Sequence, residues 1–314
     1  MRAPVMAALS DRLDAVADAV PREAPIIYFD VPVHFNIGDL LILAGTETWL
    51  KRHGRRVTHR FSVRDYRRFL QSVTEDHVLL FHGGGNMGDL WREHEALRQD
   101  VLRRFPRNKA VLLPQTVHFR NAQAAKACGA AYREHADCTV FVRDDTSRRL
   151  VEEQMGVACT VAPDMAHVLW HSGALIPQGK GGEGELCIRR TDQEASPGQP
   201  FEGIDWHDTL TLNDRILFRL LSRAMHLNRS GAFQRSLMNA WSLLRGQAVA
   251  RATTLLDRHA SILSDRLHAA ILGCLLGKEV TIVDNSYGKL SSYFDTWMPG
   301  MIPRAGACAL DPRL

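Results

Sequence analysis

Two α/β lobes are predicted for this chain. Short apolar runs alternate with longer amphipathic ones from residue 26 onward, the rhythm breaks over residues 171–185, and a second set of the same elements follows. Strands of about five residues separated by helices of about a dozen form βαβ units, so the first lobe is a doubly wound, parallel α/β domain. At 314 residues and 45% hydrophobic content the chain is long enough for two cores.

Residues 1–25, with Asp11, Asp14 and Asp18 among apolar positions, read as an amphipathic helix rather than a signal peptide. The run "IIYFDV" (26–31) is a strand, followed by a helical pattern over 40–53 that stops at Gly54. "HVLLFH" (77–82) precedes a helix over about 89–105, "KAVLLPQ" (109–115) one over about 121–128, and "CTVFVRD" (138–144) one over 146–155. "ACTVAPD" (158–164) closes the series.

The segment "HSGALIPQGKGGEGE" (171–185), rich in glycine, marks a boundary between lobes taken as 1–175 and 176–314. Beyond it come the strand "ELCIRRTD" (185–192), a long helical stretch over about 210–256, "ASILSDRLHAAILGCLLG" and "KEVTIVDNSYGK". The stretch 210–256 mixes arginines with leucines and aromatics, as a membrane-surface helix or an ordinary core-facing helix would.

The net charge of +4 is small for the length and does not argue for nucleic acid. Six cysteines lie in mostly apolar surroundings with no C-x-x-C pair and no metal-ligand spacing, as expected of buried, reduced thiols in a cytoplasmic protein. No run approaches ~18 apolar residues, so no transmembrane span is expected.

The phrase Asn-x-Gly-Asp occurs twice after strand runs, as Asn36-Ile37-Gly38-Asp39 and Asn86-Met87-Gly88-Asp89. In doubly wound sheets ligands gather at the carboxyl ends of strands, which makes both phrases candidates to line a cleft. The plainer expectation is that glycine relaxes the turn while Asp39 and Asp89 cap the following helices. His82-Gly83-Gly84-Gly85 resembles neither G-x-G-x-x-G nor the P-loop, so neither a nicotinamide cofactor nor ATP is indicated. His118 follows a strand end.

In "SDRLH", Ser264 is the expected N-cap of a helix whose first turns hold Arg266 and His268, an arrangement suited to an anion. The alternative is that Arg266 pairs with a neighbouring carboxylate and His268 simply packs. Arg190 ends the strand before it, and Arg189 should face the other way. Glu194 and Glu202 have the E-x7-E spacing of retaining glycosyltransferases, but Pro197, Gly198 and Pro200 between them exclude a helix that presents both.

Asn36 to Asp39, "HGGGNMGDLW", "LLPQTVHF", "VRDDTSRRL", "APDMA", "CIRRTDQE" and "SDRLHAAILGCLLGKEVTIVDNSYGK", in that order, resemble the polysaccharide pyruvyl transferases of bacterial exopolysaccharide pathways. The resemblance implies a fold of two Rossmann-like lobes similar to the GT-B glycosyltransferases, with the active site between the lobes. It implies transfer of pyruvate from phosphoenolpyruvate to two hydroxyls of a lipid-linked sugar at the cytoplasmic face of the inner membrane, with no metal and no redox cofactor. Arg190 and Arg266 would bind the donor, and His268 would be the general acid. Asp39, Asp89 and His118 are open as the base, and Lys289 would assist phosphate binding.

Asn36, Gly38, Asp39, Gly83, Gly84, Gly85, Asn86 and Asp89 are expected on the acceptor side, with Ser264 beside the donor. The C-terminal tail is expected to pack back on the first lobe. The alternatives are a nucleotide-sugar GT-B glycosyltransferase and a non-catalytic scaffold of the assembly complex.

Overall fold

The computed structural model describes residues 2–173, 175, 182–196, 201–228 and 230–305. Residues 174 and 176–181 of the expected 171–185 boundary segment lie outside these, as do Pro197, Gly198, Pro200, Cys308 and the C-terminal tail. The chain divides into two compact units, one of Leu9–Val33 with Ile42–Val168 and the other of Leu169–Leu314 with Met1–Ala8 and His34–Leu41.

The first of these units holds β1 (Ile26–Phe29), β2 (Val57–Phe61), β3 (Val78–Phe81), β4 (Gly84–Gly88), β5 (Ala110–His118), β6 (Cys138–Val142) and β7 (Thr160–Val161). They form a sheet in the order β2-β1-β3-β5-β6-β7, with β4 beside β5 and every pairing parallel. β1 and β3 are buried at every position, as apolar runs covered on both faces require.

Two strands escaped the sequence reading. β2 is a half-buried edge strand with threonine, histidine and arginine in it, and β4 is written in glycine and asparagine. Pro114 explains why β4 exists. Proline offers no N–H to a ladder, and β5 pairs with β3 up to Leu112 and with β4 from Gln115 onward.

Helices Ile37–Arg52, Arg92–Arg104 and Ala122–Arg133 cover the sheet, with Asn121 accepting from the Ala124 N–H at 2.9 Å as N-cap. The motif "VRDD" has a structural role. Asp144 caps the next helix through the Ser147 N–H at 2.8 Å, and fully buried Arg143 donates to Asp164 Oδ2 and Thr116 Oγ1, each at 2.6 Å. That helix changes to π-type over Leu150–Met155.

The second unit holds β8 (Glu185–Ile188), β9 (Ser261–Ser264) and β10 (Glu279–Ile282), parallel in the order β10-β9-β8. Ile188 also bridges Ile204. From β8 the chain thus steps to one edge at Ile204 and then crosses to β9 on the other side, so the direction of winding reverses between β8 and β9. That is the place where an open parallel sheet exposes strand ends to a ligand.

Helix Leu267–Leu275 is buried at all its positions, which accounts for its almost wholly apolar sequence. The single helical stretch expected over 210–256 is two helices, Leu212–Leu227 and Gln234–Asp257. Thr211 and Asp214 form a capping box at the start of the first. Of the cysteines expected to be buried, Cys128 and Cys274 are, whereas Cys138, Cys159 and Cys187 are half-buried.

Candidate functional site

The ends of β8 and β9 gather the candidate donor residues. Arg190 follows β8, its backbone N–H donates to Asp265 Oδ1 at 2.7 Å, and Asp265 follows β9. The Arg190 guanidinium ion-pairs with Asp192 at 2.9 Å and donates to Glu194. Arg266 makes a two-pronged contact with Asp205, its Nη2 lying 2.7 Å from Oδ2, and a longer one of 3.3 Å to Asp192. The carboxylate pairing weighed for Arg266 therefore occurs, and Arg190 shares it.

Each guanidinium still keeps one amino group, Nη2 of Arg190 and Nη1 of Arg266, without a hydrogen-bond partner among the described residues. Carboxylates that pair with a guanidinium on two sides orient its remaining amino group.

Glu194 is the hub. It is 2% exposed and accepts from Arg190, from Tyr287 Oη at 2.9 Å and from Lys289 Nζ at 3.1 Å. Burial alone would raise its pKa, but Lys289 and Arg190 outweigh that and hold the carboxyl far below the usual range. Asp205 is also lowered, against its own burial, by Arg266. Asp265 goes the other way: burial pushes it up, and its Oδ2 has no hydrogen-bond partner among the described residues.

The helix carrying His268 begins later than expected. Arg266 is its N-cap residue, and Ser264 Oγ accepts the Arg266 N–H at 2.9 Å while donating to the Ile188 carbonyl at 2.7 Å. Ser264 thus ties β8 to β9 rather than capping the helix. His268 is 9% exposed in the first turn of Leu267–Leu275.

The two Asn-x-Gly-Asp phrases differ in structure. In the first, the helix cap is Asn36, whose Oδ1 accepts the Gly38 N–H at 3.1 Å, and not Asp39, which sits in the first helical turn with His34 3.7 Å away. Gly38 has no positive φ. A Cβ there would lie 2.6 Å from His268 Nδ1, so glycine is required by the approach of the imidazole. Asn36, Gly38 and Asp39, expected on the same side as the Gly83–Asp89 loop, belong to the unit of Arg190, Arg266 and His268.

The second phrase lies on β4, not at a helix start. Gly88 has φ +124°, and a Cβ on it would meet the His118 carbonyl oxygen at 1.8 Å, so here both backbone and space demand glycine. Asp89 caps no helix, because the next begins at Arg92 with no side-chain cap. Instead its Oδ2 accepts the Arg120 N–H at 3.1 Å and its N–H donates to the His118 carbonyl.

Asn86 is held by a network absent from the sequence reading. Asp30, buried with φ +62°, ends β1 and accepts from His94 at 2.7 Å and from Arg98 at 3.3 Å, and Arg98 also donates to Asn86. Burial would raise Asp30, and His94 and Arg98 reverse it to a lowered value. The positive φ of an aspartate after a strand was the unreadable part; the "FD" at the end of "IIYFD" was the available signal. Gly83, Gly84 and Gly85 lie in the same unit, at the switch from β3 to β4.

Glycine at Gly38 yields a direct expectation. Gly38→Ala should displace the His268 imidazole, seen as a shift of its NMR resonances, with little loss of thermal stability, because the added methyl meets the ring before it meets the core. Unchanged imidazole resonances in Gly38→Ala would show that His268 needs no such fit.

A parallel α/β frame with an arginine–carboxylate–histidine cluster at the winding reversal of its smaller sheet has its basic groups where such folds take ligands. The sequence model of the polysaccharide pyruvyl transferases matches residues 36–287, and the chain belongs to that family. It is 32% identical to the Bacillus subtilis (strain 168) protein EpsO, assigned as a pyruvyl transferase, over 94% of this chain and 92% of that one. It is 27% identical to pyruvyl transferase 1 of Schizosaccharomyces pombe over 89% of this chain and 69% of that one. The fold is also that of a functionally uncharacterized Klebsiella pneumoniae protein, with TM-score 0.66 and 20% identity over 95% of this chain and 98% of that one.

Proposed function

We propose that the chain transfers pyruvate from phosphoenolpyruvate to two hydroxyls of a sugar in a lipid-linked oligosaccharide or exopolysaccharide repeat unit, at the cytoplasmic face of the membrane. The products are a cyclic pyruvate ketal and phosphate. With this reading goes the GT-B-like arrangement that the resemblance implies. The observation that carries it is the pair of clamped guanidinia, each with one amino group to offer, beside His268 at a buried helix start.

Phosphoenolpyruvate carries its carboxylate and its phosphate oxygen on the same carbon, C2, and two oriented guanidinium edges suit such a pair. His268 gives a proton to C3, which makes C2 electrophilic. The first sugar hydroxyl adds to C2 and passes its proton to a base. Of the three candidates, Asp39 shares a compact unit with His268 and follows the glycine packed against it, and we assign it that role. The C2–oxygen bond to phosphate then breaks, and the second hydroxyl closes the ring as its proton leaves with the phosphate. Lys289 acts through Glu194, which it contacts at 3.1 Å, rather than by reaching the donor.

A nucleotide-sugar reading would need a carboxylate free to meet the sugar, and Glu194 is held by Arg190, Lys289 and the Tyr287 hydroxyl. The test is a thermal-shift comparison. Phosphoenolpyruvate should raise Tm, since a ligand selective for the folded state at about 100 times its Kd adds about 2.7 kcal/mol, and UDP-sugars should leave it unchanged. A shift with UDP-sugars and none with phosphoenolpyruvate would reverse the assignment.

A further inference from the structure

All the large apolar side chains that stand strongly exposed among the described residues lie on one helical hairpin. Leu212, Ile216, Leu217, Leu220 and Leu227 belong to helix Leu212–Leu227, and Phe233 and Leu243 to its partner or the turn before it. Exposures of 71% at Leu212, 76% at Leu227 and 74% at Leu243 are those of side chains with nothing over them. Single exposed leucines are ordinary, but a cluster confined to one supersecondary element marks a binding surface.

The hairpin is held from its opposite face. Phe218 packs against Trp241 with ring centroids 5.5 Å apart, both rings contact Phe35, and Arg251 ion-pairs with Asp214. On the outer face Leu212, Ile216 and Leu220 form one i, i+4, i+8 row, and Arg215, Arg219 and Arg223 form another beside it. Between residues 212 and 251 the only acidic residue is Asp214, already paired with Arg251. Neither Arg219 nor Arg223 has a carboxylate partner among the described residues.

We propose that this hairpin docks the protein on an anionic lipid bilayer. The leucine row enters the boundary between headgroups and acyl chains, and the arginine row meets the lipid phosphates. Among the described residues no helix is long and apolar enough to cross a membrane, so the contact is peripheral. A second copy of the chain is the poorer occupant, because a two-fold contact would set the same arginine rows against each other. The surface stands independently of the donor and acceptor assigned above.

The test is sedimentation of the full chain with vesicles of phosphatidylcholine alone or with about 30% phosphatidylglycerol, where each basic residue near the surface contributes measurably. The intact protein should partition to the anionic vesicles and far less to the neutral ones. Arg219→Gln with Arg223→Gln should cost about thirtyfold in partitioning to the anionic vesicles, and Leu212→Asp with Leu220→Asp should abolish it. These exposed positions leave the phosphoenolpyruvate thermal shift intact, so a missing shift with vesicle binding retained would sink only the donor reading. Equal partitioning of all variants would overturn the docking surface. So would concentration-dependent dimerisation that Leu220→Asp removes, with no vesicle binding.

Discussion

His268→Ala is expected to lower the rate of phosphate release from phosphoenolpyruvate by about 10²- to 10⁴-fold, the usual cost of removing a general acid. The helix it starts is buried at every position, and the change trims a side chain at its first turn, so the protein should remain folded. His268→Gln keeps a polar group of similar reach without a transferable proton, and it should be as inactive. If either variant retains near-normal turnover while its circular dichroism is native, the proton comes from elsewhere. Arg266 needs a different substitution. Its alanine variant would leave Asp205, 2% exposed, without its guanidinium partner, and lost activity would then report misfolding as well as chemistry. Arg266→Lys keeps a charge beside Asp205 but cannot also present the free Nη1, so it should raise KM for the donor while the fold holds.

Glu194→Ala is expected to destabilise the unit of β8–β10 by about 3–5 kcal/mol, the cost of leaving buried cations without their partner. Arg190 and Lys289 would both lose that partner. Glu194→Gln, which keeps the acceptor oxygen but not the charge, should lose less. The pH dependence has a definite sign. The folded carboxyl lies well below its ordinary value of 4.5, so its stabilisation is fully present above that value and is lost as pH falls toward the folded pKa. The gap between wild type and Glu194→Gln should therefore be widest near neutrality and shrink in acid. Calorimetry at several pH values would show this, and a gap that widened below pH ~4 would contradict the network.

The repeated Asn-x-Gly-Asp phrase shows where sequence reading ran out. Both copies promised the same turn, with a glycine freed in φ and an aspartate cap. Only Gly88 takes a positive φ, and in the first copy the cap is Asn36. The reason is local identity against different surroundings: Gly38 meets an imidazole from 230 residues later (268 − 38), and Gly88 meets the carbonyl of a neighbouring strand. Likewise nothing local sets Asp192 and Asp205 apart, because an acidic residue in a loop normally signals solvent. Their role as arginine clamps depends on strands β8 and β9 being adjacent.

By itself the sequence determined the α/β class, five strands of the larger sheet, two of the smaller one and the family, because these rest on hydrophobic periodicity and on contiguous motifs. It also brought out Arg190, Arg266 and His268, since a strand end and a helix start announce themselves in a few neighbouring residues. Only the tertiary structure decided which carboxylates hold those arginines, that Gly38 backs His268, and that Asp30 carries Asn86. It also decided that a leucine row lies outward beside an arginine row. Each of these is a contact between residues far apart in the chain, or the choice of which side of a helix is covered. Such contacts are set by the packing of whole elements against one another, for which no local pattern of residues carries the signal.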